Sequence, residues 1–213
     1  TLWAVESTQP DLRDTMRIEI AIDHDRDGII DFWEEGEAID VDGNGVIEDF
    51  DRDNGSLPFA DPDYKNIYVE FDCMDNLLEL LCISDGAYSK LESAFNNIPI
   101  INPDGRTGIT LYVDYSGRIP YQRNLSISDV YPMRQSYFNE IRRGIFHYGI
   151  ATPDAIQRPG SGILSGLGEP SGDNFIINAL DQNLARSPRR EQIEALVSAV
   201  IFMHELGHNL GLE

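Results

Sequence analysis

The sequence predicts a mixed α/β fold of the α+β kind, a twisted sheet with a backing helix and a long last helix, preceded by a small acidic loop segment. Three observations predict it. Runs rich in β-branched and aromatic residues at 66–72 and 109–115 flank an amphipathic segment at 88–96, an order that implies a right-handed crossover between parallel strands. An apolar helical pattern starts at Ser187 and Pro188 and runs to Gly211. Two stretches, 23–34 and 40–51, carry acidic residues at alternating positions around a central glycine. The boundaries are then 1–56 for the acidic segment, 57–64 for a Pro- and Asp-containing linker, and 65–213 for the main domain.

Composition narrows the partners. With 37 acidic against 16 basic residues the formal net charge is -21, which opposes binding to nucleic acid or an anionic membrane because phosphates would be repelled. Such acidity suits bound cations in the N-terminal segment and a solvated surface elsewhere. The apolar run near Ala195–Met203 is interrupted by Ser198 and is far short of the roughly 20 residues of a membrane span. The chain begins at Thr1 with no basic, apolar, small-residue leader, so a signal peptide is expected to have been removed or omitted. Cys73 and Cys82 are the two cysteines. In an oxidising compartment they would close a short disulfide loop worth about 2 to 3 kcal/mol on a chain-entropy account; buried free thiols are the alternative. Asn54 and Asn124 each begin an Asn-x-Ser tripeptide, the acceptor pattern of an external glycoprotein.

Residues 1–22 contain DLRDTMRIEIAI, a pattern that fits a short helix or a strand. From Asp23 the signal sharpens. Asp23, Asp25, Asp27, Asp31 and Glu34 occupy the side-chain ligand positions of an EF-hand-type calcium loop, with Gly28 at the bend and the carbonyl of Ile29 as a further ligand. The spacing is what a hard cation needs, since it takes six or more oxygens and the glycine lets the chain wrap around it. Ile30 is expected to face the core beneath the loop. In the second stretch Asp40, Asp42, Asn44, Glu48 and Asp51 repeat the offsets, with the carbonyl of Val46 and the bend at Gly45. Residues 35–39 alone separate the loops, too few for a paired EF-hand, so the segment resembles compact dockerin-like or thrombospondin type 3-like calcium repeats with a short helix near 32–36. Eighteen acidic residues against four arginines between Asp11 and Asp63 should repel one another without cations.

In the main domain, 66–72 reads as a strand, 76–82 as a short apolar helix and 88–96 as a helix with Leu91 and Phe95 four apart. A turn at 102–105 leads to the strand at 109–115, and 116–135 reads as a loop from its Gly, Pro and Ser. A short helix at 137–143 and a strand at 144–151 come next; the strand carries His147, read as packed or surface-exposed rather than as a ligand. Residues 159–172 are glycine-rich without the GK[ST] ending of a phosphate loop, so they read as a flexible loop, and 173–180 as a strand. In the last helix Glu191 suits the first turn, and Ile193, Leu196, Val197, Val200 and Ile201 supply the expected buried face.

That helix ends in HELGHNLG. His204 and His208 lie one turn apart and can offer two imidazole nitrogens to one zinc ion, while Glu205 is placed to act as a general base on water at that ion. Gly211 lets the helix stop. With these residues the sequence resembles the metzincin zinc metalloproteases, whose signature is HExxHxxGxxH followed by a Met-containing turn. The resemblance implies that His204 and His208 are zinc ligands and Glu205 the catalytic base, and it puts a third ligand immediately after Glu213. It implies a metzincin-like upper catalytic subdomain for 65–213, with the strand at 173–180 either the edge strand that grips an extended substrate or a plain core strand. The expected function is a secreted zinc-dependent metalloendopeptidase acting on a peptide or protein substrate, with zinc and calcium as cofactors. The alternative is a calcium-stabilised extracellular structural or adhesive protein with an inactive or incomplete protease-like fold.

Overall fold

The computed structural model describes residues 2–4, 18–20, 22–35, 38–39, 48–49, 60–75, 80–115, 117–153, 156–158, 162–179 and 188–212. In the N-terminal part, β1 (Leu2–Ala4) pairs antiparallel with β2 (Ile18–Ile20), α1 covers Asp31–Glu35, and β3 (Ala38–Ile39) pairs antiparallel with β4 (Glu48–Asp49). Of the second acidic loop, Asp40, Asp42, Asn44, Val46 and Asp51 lie outside the described residues, and for Glu48 only the backbone is described.

The main body is a mixed α/β unit. Its chain order is β5 (Asn66–Asp75), β6 (Leu80–Leu81), α2 (Asp85–Asn96), β7 (Thr110–Asp114), β8 (Arg118–Pro120), α3 (Ile127–Tyr137), β9 (Phe146–Thr152), β10 (Ile156–Arg158), β11 (Gly162–Leu164), β12 (Gly166–Gly168), β13 (Asn174–Asn178) and α4 (Pro188–Asn209). Strand β5 is the centre of a seven-stranded sheet. It pairs parallel with β7, β8 and β9 and antiparallel with β6. Beyond β9 come β13, parallel, and β12, antiparallel at the edge. Both faces are covered. Along β5, Val69, Phe71 and Cys73 point into one apolar cluster with Leu91 and Phe95 of α2, Phe175 of β13, and Phe202 and Leu206 of α4. Tyr68 and Met74 join the opposite cluster with Val130 and Met133 of α3 and with Phe146, Tyr148 and Ile150 of β9. Strands buried on two faces need near-continuous apolar character, which β9 and β13 have. Cys73 and Cys82 are joined, their Cα atoms 5.0 Å apart.

Several local expectations are corrected. Residues 127–137 form α3, not loop: Ser126 and Asp129 build a capping box, with the Ser126 N–H donating to Asp129 Oδ2 at 2.8 Å, and burial of Val130 and Met133 outweighs the backbone donor lost at Pro132. Residues 80–81 are strand, paired with Met74 and Asp75, where a helix was expected. The glycine-rich stretch holds two short strands, β11 and β12, because pairing with β10 and β13 satisfies its backbone. The edge of the sheet is therefore β12, and β13 is an inner strand.

The buried face of α4 also differs. Ile193, Leu196, Val197 and Val200 are 53, 53, 37 and 50 % exposed, while Ala195, Ser198, Ala199 and Phe202 are buried. The cause is close approach to α2: a Cβ on Gly86 would lie 3.4 Å from Ala195 Cβ, so only the small-residue face of α4 fits.

Candidate metal centres

The C-terminal half of α4 crosses the edge of the sheet, and its last turns carry the histidines. Leu212 N–H donates to the Gly207 carbonyl at 2.9 Å and Gly211 N–H to the His208 carbonyl at 3.0 Å, a Schellman closure that needs the left-handed conformation at Gly211, φ 80°. This closure folds the chain back so that the Leu212 carbonyl meets His208 Nδ1 at 3.2 Å. A proton on Nδ1 then leaves Nε2 of His208 as a bare lone pair, the form a metal ligand requires.

One ligand atom each from His204, Glu205 and His208 falls within a mutual separation of 4.8 Å, and the two rings are 4.7 Å apart at 77°. The two imidazoles fit zinc by ligand type, and the Glu205 carboxylate stands beside them. Glu205 is 5 % exposed. Burial raises its pKa, while charge on His204, a hydrogen bond from the Gly168 N–H and charge on His208 oppose the rise. Gly166 and Gly168 stand where α4 touches β12: a Cβ at either would collide with Glu205 atoms. The spacing of HELGH reveals none of this. The signal was the GLG alternation itself, which leaves one face of a short strand free of side chains for a helix backbone.

The end of α4 is anchored again by Asn209, whose amide donates to the carbonyls of Glu169 and Asn174 at 2.9 Å each, and by the Ser171 N–H donating to the His208 carbonyl at 2.9 Å. His147, in β9, faces Asp173 at 4.0 Å and does not join the His204 cluster among the described residues.

The first acidic loop forms the second cluster. Gly28 has φ 100°, which makes the bend. Asp23 accepts the N–H groups of Arg26 at 2.6 Å and Gly28 at 3.2 Å, Asp25 that of Asp27 at 3.0 Å, and Asp27 that of Ile29 at 2.8 Å. These bonds aim the carboxylates inward, where oxygens of Asp23, Asp25 and Asp27 lie within 4.8 Å of one another. Asp31 accepts the His24 N–H at 2.8 Å. Asp25 Oδ2 and both oxygens of Glu34 are buried without hydrogen-bond partners. Burial, then repulsion from Asp27, pushes Asp25 up to about 7 and Glu34 up to about 8. Asp31 and Glu34 do not belong to the Asp23, Asp25 and Asp27 group. Buried carboxylate oxygens without partners are costly unless a cation compensates them, and a calcium ion would take Glu34 through both oxygens. Ile29, not Ile30, reaches the core, at 4 % exposed.

No family model matches the chain, and no curated protein matches it. Among solved structures, an archaemetzincin from Methanopyrus kandleri is similar at 14% identity over 68% of this chain and 74% of that one, with a TM-score of 0.40. An archaemetzincin from Archaeoglobus fulgidus, complexed with malonate, is similar at 15% identity over 70% of this chain and 79% of that one, with a TM-score of 0.39. Overlap this loose decides nothing about activity, which has to be read from the residues of the two clusters. Among the described residues no helix is long and apolar enough to cross a membrane.

Proposed function

We propose that this chain is a zinc-dependent metalloendopeptidase of metzincin type, secreted and stabilised by calcium. The observation that carries the reading is the convergence of His204, Glu205 and His208, with the His208 ring oriented by the Leu212 carbonyl and the Glu205 carboxylate by the Gly168 N–H. Zinc held by His204 and His208 would supply Lewis acidity, lowering the pKa of water and polarising a peptide carbonyl. Glu205 takes the proton from water as the oxygen attacks that carbonyl, then passes it to the leaving amine. The edge strand β12 lies beside the site, and among the described residues it pairs with β13 alone, which leaves its other side for an extended peptide to pair along. The cysteine pair and the acidic surface support an oxidising, extracellular setting.

Calcium belongs to the first loop, through Asp23, Asp25, Asp27, the Ile29 carbonyl, Asp31 and Glu34; on sequence grounds a second ion belongs to the loop at 40–51. The unpartnered oxygens of Asp25 and Glu34 favour the calcium reading independently of any hydrolase. They are also what a non-catalytic, calcium-stabilised extracellular protein would show.

The two readings separate in one experiment. Purified full-length protein should bind about one zinc per chain at the histidine site and cleave an unfolded protein substrate. Glu205→Gln should retain the zinc and lose at least about 100-fold in rate, the order expected for a general base. Undiminished cleavage by that variant, or a preparation that binds no zinc, would refute the protease.

A further inference from the structure

The first acidic loop is built into the sheet. Asp27 faces two ways: Oδ1 closes the loop on Ile29, and Oδ2 accepts the N–H of Asn66 at 2.7 Å. Asn66 is the first residue of β5, the strand on which the sheet is centred. Ile29 shares an apolar cluster with Tyr68, Phe146 and Ile176, and Trp33 packs against the same cluster. His24 Nδ1 lies 2.7 Å from Asp63 Oδ1, just ahead of β5. A cavity of about 120 Å³ opens where β5 and β9 begin, and its walls include Asp27, Gly28 and Ile29 of the loop together with Leu210, two residues past His208. The loop and the end of the histidine helix therefore border one space.

The same loop holds buried carboxylate oxygens that its protein neighbours do not meet. Asp25 is 3 % exposed with a partnerless Oδ2, and Glu34 has both oxygens buried and unpartnered. With the centre filled, Asp27 is held between an ion and a sheet amide. Without the ion, repulsion among the carboxylates would oppose the contacts of Asp27 and Ile29 with β5.

We propose that a calcium ion in the first loop ties that loop to β5 and thereby braces the end of the sheet where the His208 turn packs. The proposal rests on the calcium reading of the first loop and needs neither zinc nor cleavage.

The test uses the full chain stripped of all metals, with calcium alone added back, so zinc is absent from both arms. Terbium luminescence, sensitised by the adjacent Trp33, reports occupancy of the loop. Added calcium should raise the melting midpoint by about 5 °C or more and slow amide exchange about tenfold or more at 66–73 and at 206–212. Glu34→Gln should abolish both effects, and Asp25→Asn should weaken them; Asp42→Ala, in the second loop, should keep both. If Glu34→Gln fails to fold, the wild-type exchange data with Asp25→Asn decide. Absence of terbium and calcium binding would overturn the calcium reading and the tie together. Binding at the first loop with unchanged exchange at 66–73 would overturn the tie alone. Neither result bears on Glu205, whose role is read from cleavage.

Discussion

At the scale of single residues, the sheet keeps a buried charge network distinct from both candidate metal clusters. Arg142 pairs with Glu70 at 2.8 Å and with Asp114 at 2.6 Å, and the Asn139 N–H donates to the other Glu70 oxygen at 3.0 Å. Removing the cation strands two carboxylates in a low-dielectric interior, so Arg142→Ala should destabilise the fold by about 3 to 5 kcal/mol, read from denaturant unfolding. Asp72 lies beside this network and accepts the Tyr148 hydroxyl at 2.7 Å. Burial raises its pKa above 3.8 despite that hydrogen bond. An acid whose folded pKa is raised contributes stability below its unfolded pKa and loses it as pH rises through the folded pKa. Wild type should therefore lose melting temperature relative to Asp72→Asn as pH climbs above about 4; parallel curves would refute the assignment. None of these partners is adjacent in sequence, which is why the charges read there as ordinary solvated groups. By contrast, the clustering of His204, Glu205 and His208 was legible, because helix geometry alone brings them together.

At the scale of elements, the contact between β12 and α4 is the most sensitive joint. Gly168 donates its N–H to Glu205, and a side chain there would strike the Glu205 carbonyl oxygen on the helix backbone, which cannot yield as a flexible side chain would. Gly168→Ala should cost about 1 to 3 kcal/mol by overpacking. On the protease reading it should also lower kcat more than it changes KM, because it displaces the base. A variant with wild-type unfolding and kinetics would show that the joint is loose. Reading elements from pattern succeeded where periodicity was long, as in α2 and α4, and failed where the decisive signal was short. In α3 the deciding signal is the four-residue Ser126–Asp129 box, and the Gly, Pro and Ser around it read as loop. In 162–168 the glycines that suggested a flexible loop are what allows a strand to lie against a helix.

At the scale of the whole molecule, two apolar clusters sandwich the sheet, and the Cys73–Cys82 link joins β5 to the chain entering α2 across a separation of 9 residues. Cys73→Ser with Cys82→Ser should cost about 2 to 3 kcal/mol, measured as a loss in unfolding free energy that a reductant reproduces in wild type. The sequence by itself determined whatever depends on spacing along one stretch of backbone: the carboxylates of the first loop, the histidines one turn apart, the glycine that ends α4, and the strand, helix, strand order. Covalent geometry turns such spacing into juxtaposition without outside help. The tertiary structure decided which face of α4 is buried, that β12 and not β13 forms the edge, and that the acidic loop is tied to β5 through Asp27 and Ile29. Each of those outcomes depends on what packs opposite, and a partner more than a few turns away in the chain leaves no mark on local periodicity.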